Sequence, residues 1–141
     1  MPSDRAAILD THTWLWWVLE TGDLGRRGRA TIETAQTIVI PAICVWEVAL
    51  LVDRGRLELD LYPLEWMRQA LAMDRVVTGP LSPQIATEAV GLRREGFHGD
   101  PADRLIYATA RVLDAVLISD DDTIRAFENS RPPRAPRHLV W

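Results

Sequence analysis

The stretch Ala6-Ala7-Ile8-Leu9-Asp10-Thr11-His12-Thr13-Trp14-Leu15-Trp16-Trp17-Val18-Leu19 decides the fold. Ala6 to Leu9 is a short apolar run that ends in Asp10, and from Thr13 to Leu19 tryptophans and leucines recur at helical spacing. This reads as a strand passing directly into a helix. Downstream the same alternation repeats. Leu24 to Gln36 is a helix with arginine on one face, and Thr37 to Ile40 is a β-branched strand closed by Pro41. Ala42 to Arg54 is helical up to Gly55, a natural stop, whereas Leu57 to Leu61 alternates too briefly to classify. Pro63 to Asp74 is a helix with proline in its first turn, and Arg75 to Thr78 a third strand. Ser82-Pro83 opens a helix that runs to Glu95, with serine as cap and proline at the first helical position. Gly96 and Gly99 bracket a loop, Asp100-Pro101 starts a helix through Leu113, and Ala115 to Ser119 is a fourth strand. A short helix carries Thr123 to Phe127, Arg131 to Arg137 is a Pro/Arg-rich connection, and His138 to Trp141 returns as an edge strand. Strands alternating with helices predict a three-layer α/β/α fold around a central parallel sheet of four to five strands. With no repeat or linker, residues 1–141 are expected to form a single domain.

Composition narrows the chemistry. The 141 residues are 48% hydrophobic and 26% charged, enough apolar surface to offset the conformational entropy that keeps polar chains disordered. Met1 to Asp10 places Asp4 and Arg5 before a short apolar run and lacks the long apolar core of a secretory signal, so a cytoplasmic location is expected. The most apolar window, Ile38 to Val52, is interrupted by Pro41 and Glu47 and is too short for a bilayer helix, which needs about 20 apolar residues. Cys44, the only cysteine, reads as a small buried hydrophobe, and it removes sulfur-based metal binding as a main theme.

The net charge of −4 argues against a nucleic-acid partner when taken alone. All 16 basic residues are arginine, however, and the planar guanidinium suits bidentate phosphate contacts, so basic patches can coexist with an acidic site. The lack of lysine removes P-loop NTPases, which need a phosphate-binding lysine. Receiver domains and haloacid-dehalogenase phosphatases, whose sites also use a lysine, become poor explanations.

Carboxylates collect where an open parallel sheet binds ligands, beyond the carboxyl ends of its strands. Asp10 ends the first strand, Asp120, Asp121 and Asp122 follow the fourth, and Asp100 and Asp103 stand at the start of the helix that leads into it. Glu47 is embedded in Val45-Trp46-Glu47-Val48-Ala49-Leu50-Leu51, where a carboxylate is costly unless paired or metal-bound. Acids that converge repel one another unless a cation compensates. Mg²⁺ or Mn²⁺ suits an all-oxygen donor set, and such an ion beside a phosphate can activate water, polarise phosphorus and steady the leaving oxygen.

Together these pieces resemble a known family, the PIN domain, and within it the VapC-type toxins of bacterial toxin-antitoxin systems. The resemblance covers nearly the whole chain. It rests on Leu9-Asp10-Thr11-His12, Val45-Trp46-Glu47-Val48-Ala49, His98-Gly99-Asp100-Pro101-Ala102-Asp103-Arg104-Leu105-Ile106 and Leu117-Ile118-Ser119-Asp120-Asp121, four landmarks in the family's order and spacing. It implies a metal-dependent endoribonuclease whose catalytic and metal-holding acids are Asp10, Glu47, Asp103 and Asp121, with Mg²⁺ or Mn²⁺ as cofactor. Thr11, Asp100, Ser119 and Asp122 are secondary candidates, Asp122 being the alternative to Asp121. The resemblance further implies an RNA substrate, products with 5′-phosphate and 3′-hydroxyl ends, a cognate VapB-type antitoxin and a homodimer; no membrane partner is expected, since no apolar run is long enough to span a bilayer. An RNA-processing PIN nuclease without an antitoxin, or a catalytically inactive PIN binding module, are the alternatives.

Each acid also has a structural reading. Asp10 and Asp100 suit helix caps, Asp103 complements a helix dipole, Glu47 fits an exposed position or an arginine pair, and Asp120 to Asp122 suit a solvated turn. His12 and His98 are isolated histidines near turns, and Arg104 is expected to pair with a site carboxylate. Trp14, Trp16 and Trp17 cannot all face one core, so at least one is expected to meet a partner, the alternative being separate core pockets.

Overall fold

Five strands, β1 (Ala7–Leu9), β2 (Ile38–Pro41), β3 (Val76–Gly79), β4 (Val116–Ile118) and β5 (Leu139–Val140), lie in one sheet in the order β3-β2-β1-β4-β5. Every pairing is parallel in the computed structural model, which describes residues 5–141. The reading of Met1 to Asp4 lies outside the described residues. Seven α-helices connect the strands: α1 (Thr11–Leu19), α2 (Arg26–Thr34), α3 (Ala42–Asp53), α4 (Pro63–Leu71), α5 (Pro83–Leu92), α6 (Pro101–Leu113) and α7 (Asp122–Ser130). The expected α/β/α class and all five strands are present. Leu57 to Leu61 forms no helix or strand, and α7 starts earlier and ends later than its apolar residues suggest.

The sheet order explains where a site can form. The chain builds outward from β1 to β2 and β3, then returns to set β4 on the other flank of β1. Connections therefore leave the carboxyl ends of β1 and β4 in opposite directions and open a crevice between them. Register pairs Leu9 with Ile118, so the residues after these two, Asp10 and Ser119, meet side by side at that crevice.

Central strands covered on both faces read as continuous apolar runs rather than alternating ones. Ile8, Leu9, Ile38, Ile40, Leu117 and Ile118 accordingly exclude solvent completely. Gly28 lets α2 approach this core: an added Cβ would lie 2.8 Å from Ile118 Cγ2. Of the α1 tryptophans, Trp14 is buried against Trp66 with ring centroids 5.4 Å apart, while Trp16 and Trp17 remain half-buried. Trp16 packs between His12 and Trp141, at 5.8 and 5.5 Å.

A buried carboxylate anchors the last strand. Glu128 Oε1 accepts the backbone N–H groups of His138 at 2.7 Å and Leu139 at 3.2 Å, and Oε2 accepts the hydroxyl of Tyr107. Burial works against the Glu128 charge, but these donors outweigh it and hold the carboxyl below its ordinary pKa. No helix among the described residues is long and apolar enough to cross a membrane.

Candidate active site

One open pocket of about 600 Å³ lies at the carboxyl ends of β1 and β4, and Asp10, Glu47, Asp103 and Asp121 all line it. Thr11, Asp100 and Asp122 line it as well. Ser119 is fully buried behind this wall. The fold thus brings together the acids that the sequence scatters over more than a hundred positions.

Asp10 is held from two sides. Its Oδ1 caps α1 by accepting the Thr13 N–H at 2.9 Å, and its Oδ2 accepts the Ser119 hydroxyl. Capping and a place in the pocket are compatible, because a carboxylate has more lone pairs than the cap consumes. Burial pushes the Asp10 pKa up despite help from Ser119 and Thr13. Ser119 also accepts the backbone N–H of Asp121 at 3.1 Å, so one hydroxyl links the two strand ends.

Glu47 projects from α3, and its Oε1 accepts the Thr11 hydroxyl at 2.7 Å. This bond, rather than an arginine, is what meets the charge in the apolar helix. Its pKa is nevertheless raised, first by burial and then, against the Thr11 bond, by Asp100 and Asp10. Asp100 caps α6 through the Asp103 N–H at 2.9 Å, as its position before Pro101 suggests. Asp103 sits one turn further in, and its pKa is pushed up to about 7, by burial first and then by Asp121, Asp100, Glu47 and Asp10.

Asp121 caps α7 through the Ile124 N–H at 2.9 Å. Its neighbours are engaged otherwise: Asp120 and Asp122 both pair with Arg125, the latter at 3.3 Å. Among the described residues, Asp121 is therefore the member of the triplet without an ion pair, and it is the first charged neighbour that raises the Asp103 pKa.

These residues fit a hard divalent ion. The donors are carboxylate and hydroxyl oxygens; Cys44 is buried with its thiol pKa pushed up, its Sγ facing Leu9 O at 3.8 Å. Burial is the first cause of the raised Asp10, Glu47 and Asp103 pKa values, and for Glu47 and Asp103 neighbouring carboxylates add to it, a surplus of negative charge that a dication would relieve. Among the described residues no three Asp, Glu, His or Cys side chains already close around one point as a finished cage. An open acidic pocket instead suits an ion that keeps several waters and takes part of its shell from a phosphate.

Other expectations place differently. Among the described residues Arg104 forms no ion pair with a site carboxylate: it lines a separate apolar groove between α5 and α6, with Leu81, Ala89 and Leu105. The helix turns it away from Asp103, because adjacent helical positions point about 100° apart. His98 is exposed and does not line the pocket, whereas His12 and Trp16 do. Arg54 and Arg56, not singled out from the sequence, also line the pocket. Gly55 between them was legible as a helix stop, but not the direction in which the chain then turns.

These features define an α/β domain with an all-parallel sheet and an acidic pocket at its switch point. A family model described as PIN domain matches residues 7–129, and the chain belongs to that family. It is 36% identical over 125 residues to Ribonuclease VapC22 of Mycobacterium tuberculosis, covering 89% of this chain and 94% of that protein. The fold is similar to a toxin-antitoxin complex from Klebsiella pneumoniae, with TM-score 0.63, 21% identity and 96% of both chains covered. It is also similar to VapBC2 from Rickettsia felis bound to a DNA fragment from their promoter, with TM-score 0.63, 16% identity, and 88% and 94% of the chains covered.

Proposed function

We propose that this chain is an endoribonuclease toxin that hydrolyses RNA phosphodiester bonds and is restrained by a VapB-type antitoxin. The observation that carries the reading is the shared pocket of Asp10, Glu47, Asp103 and Asp121 in a PIN fold. The 36% identity to a ribonuclease and the fold likeness to toxin-antitoxin complexes support the substrate and the partner. The intact acid set disfavours a binding-only module.

In this reading the four acids hold one or two Mg²⁺ or Mn²⁺ ions. When bound, such an ion supplies water activation and charge neutralisation at phosphorus. The chain's own work is positioning. Ser119 and the Thr13 N–H fix the Asp10 carboxylate, and Thr11 fixes Glu47, so neither has to be reordered when substrate arrives. Asp103, with its raised pKa, can carry a proton in the ion-free pocket and surrenders it as positive charge enters.

The chain is proposed to work as one domain, in the cytoplasm and as a homodimer. The groove between α5 and α6, where Leu81 and Val90 are 55% and 67% exposed, offers apolar surface for pairing. The test is cleavage of a structured RNA pool by purified protein with and without Mg²⁺. Cleavage should require the ion, leave 5′-phosphate ends and vanish in Asp10→Asn; equal activity in that variant would remove the mechanism.

A further inference from the structure

The chain leaves α3 through a turn that directs two arginines to the acidic pocket. Gly55 has φ +67°, its N–H bonds to Val52 O at 3.0 Å, and the Arg56 N–H bonds to Leu51 O at 2.9 Å. This is a Schellman closure, in which glycine occupies the left-handed position at no steric cost. The turn fixes Arg54 before it and Arg56 after it, and both residues line the pocket with Asp10, Glu47, Asp103 and Asp121. Both are exposed, and neither forms an ion pair among the described residues. Among the described residues, the pocket acids that form an ion pair, Asp120 and Asp122, do so with Arg125 on α7.

An RNA strand meets a difficulty at such a pocket. Each nucleotide adds a negative charge, and the carboxylates repel all of them. An ion held by the acids acts on the phosphate undergoing cleavage, but its neighbours along the strand remain uncompensated. Guanidinium groups at the rim, with donors not consumed by protein carboxylates, match that need in charge and in planar geometry.

We propose that Arg54 and Arg56 are positioning residues that bind the backbone phosphates flanking the scissile one in a single-stranded RNA. The inference rests on the ribonuclease reading and specifies how the substrate is held.

The test uses a 5′-fluorescein-labelled single-stranded RNA, with binding followed by anisotropy over a salt series at fixed Mg²⁺ in the Asp10→Asn background. Removing both arginines (Arg54→Ala with Arg56→Ala) should flatten the slope of log K against log salt by about 1.4, roughly 0.7 per lost single-strand phosphate contact. In the otherwise wild-type chain the same pair should raise KM several-fold with kcat held within about twofold, since uniform binding is what is lost. Lysine at both positions should restore the slope, but not the full affinity, because a point charge lacks the bidentate fork. An unchanged salt slope and KM in a folded double-alanine variant would overturn the proposal. A wild-type chain that shows the arginine-dependent slope yet cleaves no RNA would keep the phosphate contacts but overturn both the ribonuclease reading and the placement of those contacts beside a scissile phosphate.

Discussion

Ser119 donates its hydroxyl to Oδ2 of Asp10, joining the ends of β4 and β1 across 109 positions of sequence. The same oxygen accepts the Asp121 N–H, so a single side chain sets the spacing of two pocket acids. Ser119→Ala should therefore lower cleavage at least tenfold and destabilise the fold by about 1–3 kcal/mol, the usual cost of leaving a buried acceptor short of a donor. Ser119→Thr retains the hydroxyl and should recover most of the rate. Urea unfolding and initial cleavage rates measure the two effects. Equal rates for the alanine and wild-type proteins would refute the link.

Asp103 gives the ion-free protein a pH dependence of definite sign. Its pKa rises from 3.8 in the unfolded chain to about 7 in the fold, chiefly through burial and then Asp121. Between these values the folded state binds more protons than the unfolded one, so stability falls as pH rises through the window. Asp10 and Glu47, both raised, act in the same direction. In EDTA the melting temperature should drop between about pH 5 and pH 8, and Mg²⁺ should restore it at the upper end by binding the folded state alone. Asp103→Asn should flatten the EDTA profile. Thermal melts that stay level, or fall toward low pH in this window, would contradict the assignment.

Much of this arrangement was legible from local pattern. The passage from Ala7–Leu9 to Asp10, and from Val116–Ile118 to Ser119, showed strand ends and acids together, because buried parallel strands are uninterrupted apolar runs. That Asp10, Asp100 and Asp121 are caps was foreseeable for the first two, since they directly precede helical patterns. Asp121 was preferred to Asp122 by family resemblance alone, since the pairing of Arg125 with Asp120 and Asp122 has no local signature. Arg104 misled for a related reason: its neighbour Asp103 faces the pocket, but the next helical position faces the groove beyond. Neither the Ser119 bridge nor the role of Glu128 has a local signature, since both depend on contacts between distant segments.

Glu128 offers a prediction independent of the pocket. Its depressed pKa means that it stabilises the fold above the ordinary value of 4.5, and that this contribution is lost as pH falls through the folded value. Glu128→Ala removes the acceptor for Tyr107, His138 and Leu139 and should cost at least about 1.5–3 kcal/mol, the range for a single bond to a charged group. Glu128→Gln keeps the shape and should cost less. The urea midpoint of each variant at pH 7 tests this, and an unshifted midpoint for alanine would show that β5 is held by other means.

The acidic triplet after β4 separates charge from position most sharply. Asp122 is exposed and paired with Arg125, whereas Asp121 couples to Asp103 and caps α7. Asparagine caps a helix about as well as aspartate, so Asp121→Asn should leave the melting temperature within a few degrees while removing the charge from the pocket. Cleavage by that variant should fall about a hundredfold or more, and its Mg²⁺-induced rise in melting temperature should shrink. Asp122→Asn should change either quantity little, since surface ion pairs contribute about 0–1 kcal/mol. Both variants share the backbone, the loop and the helix, so a reversed order, with Asp122→Asn inactive and Asp121→Asn active, would place the fourth acid one residue further along α7.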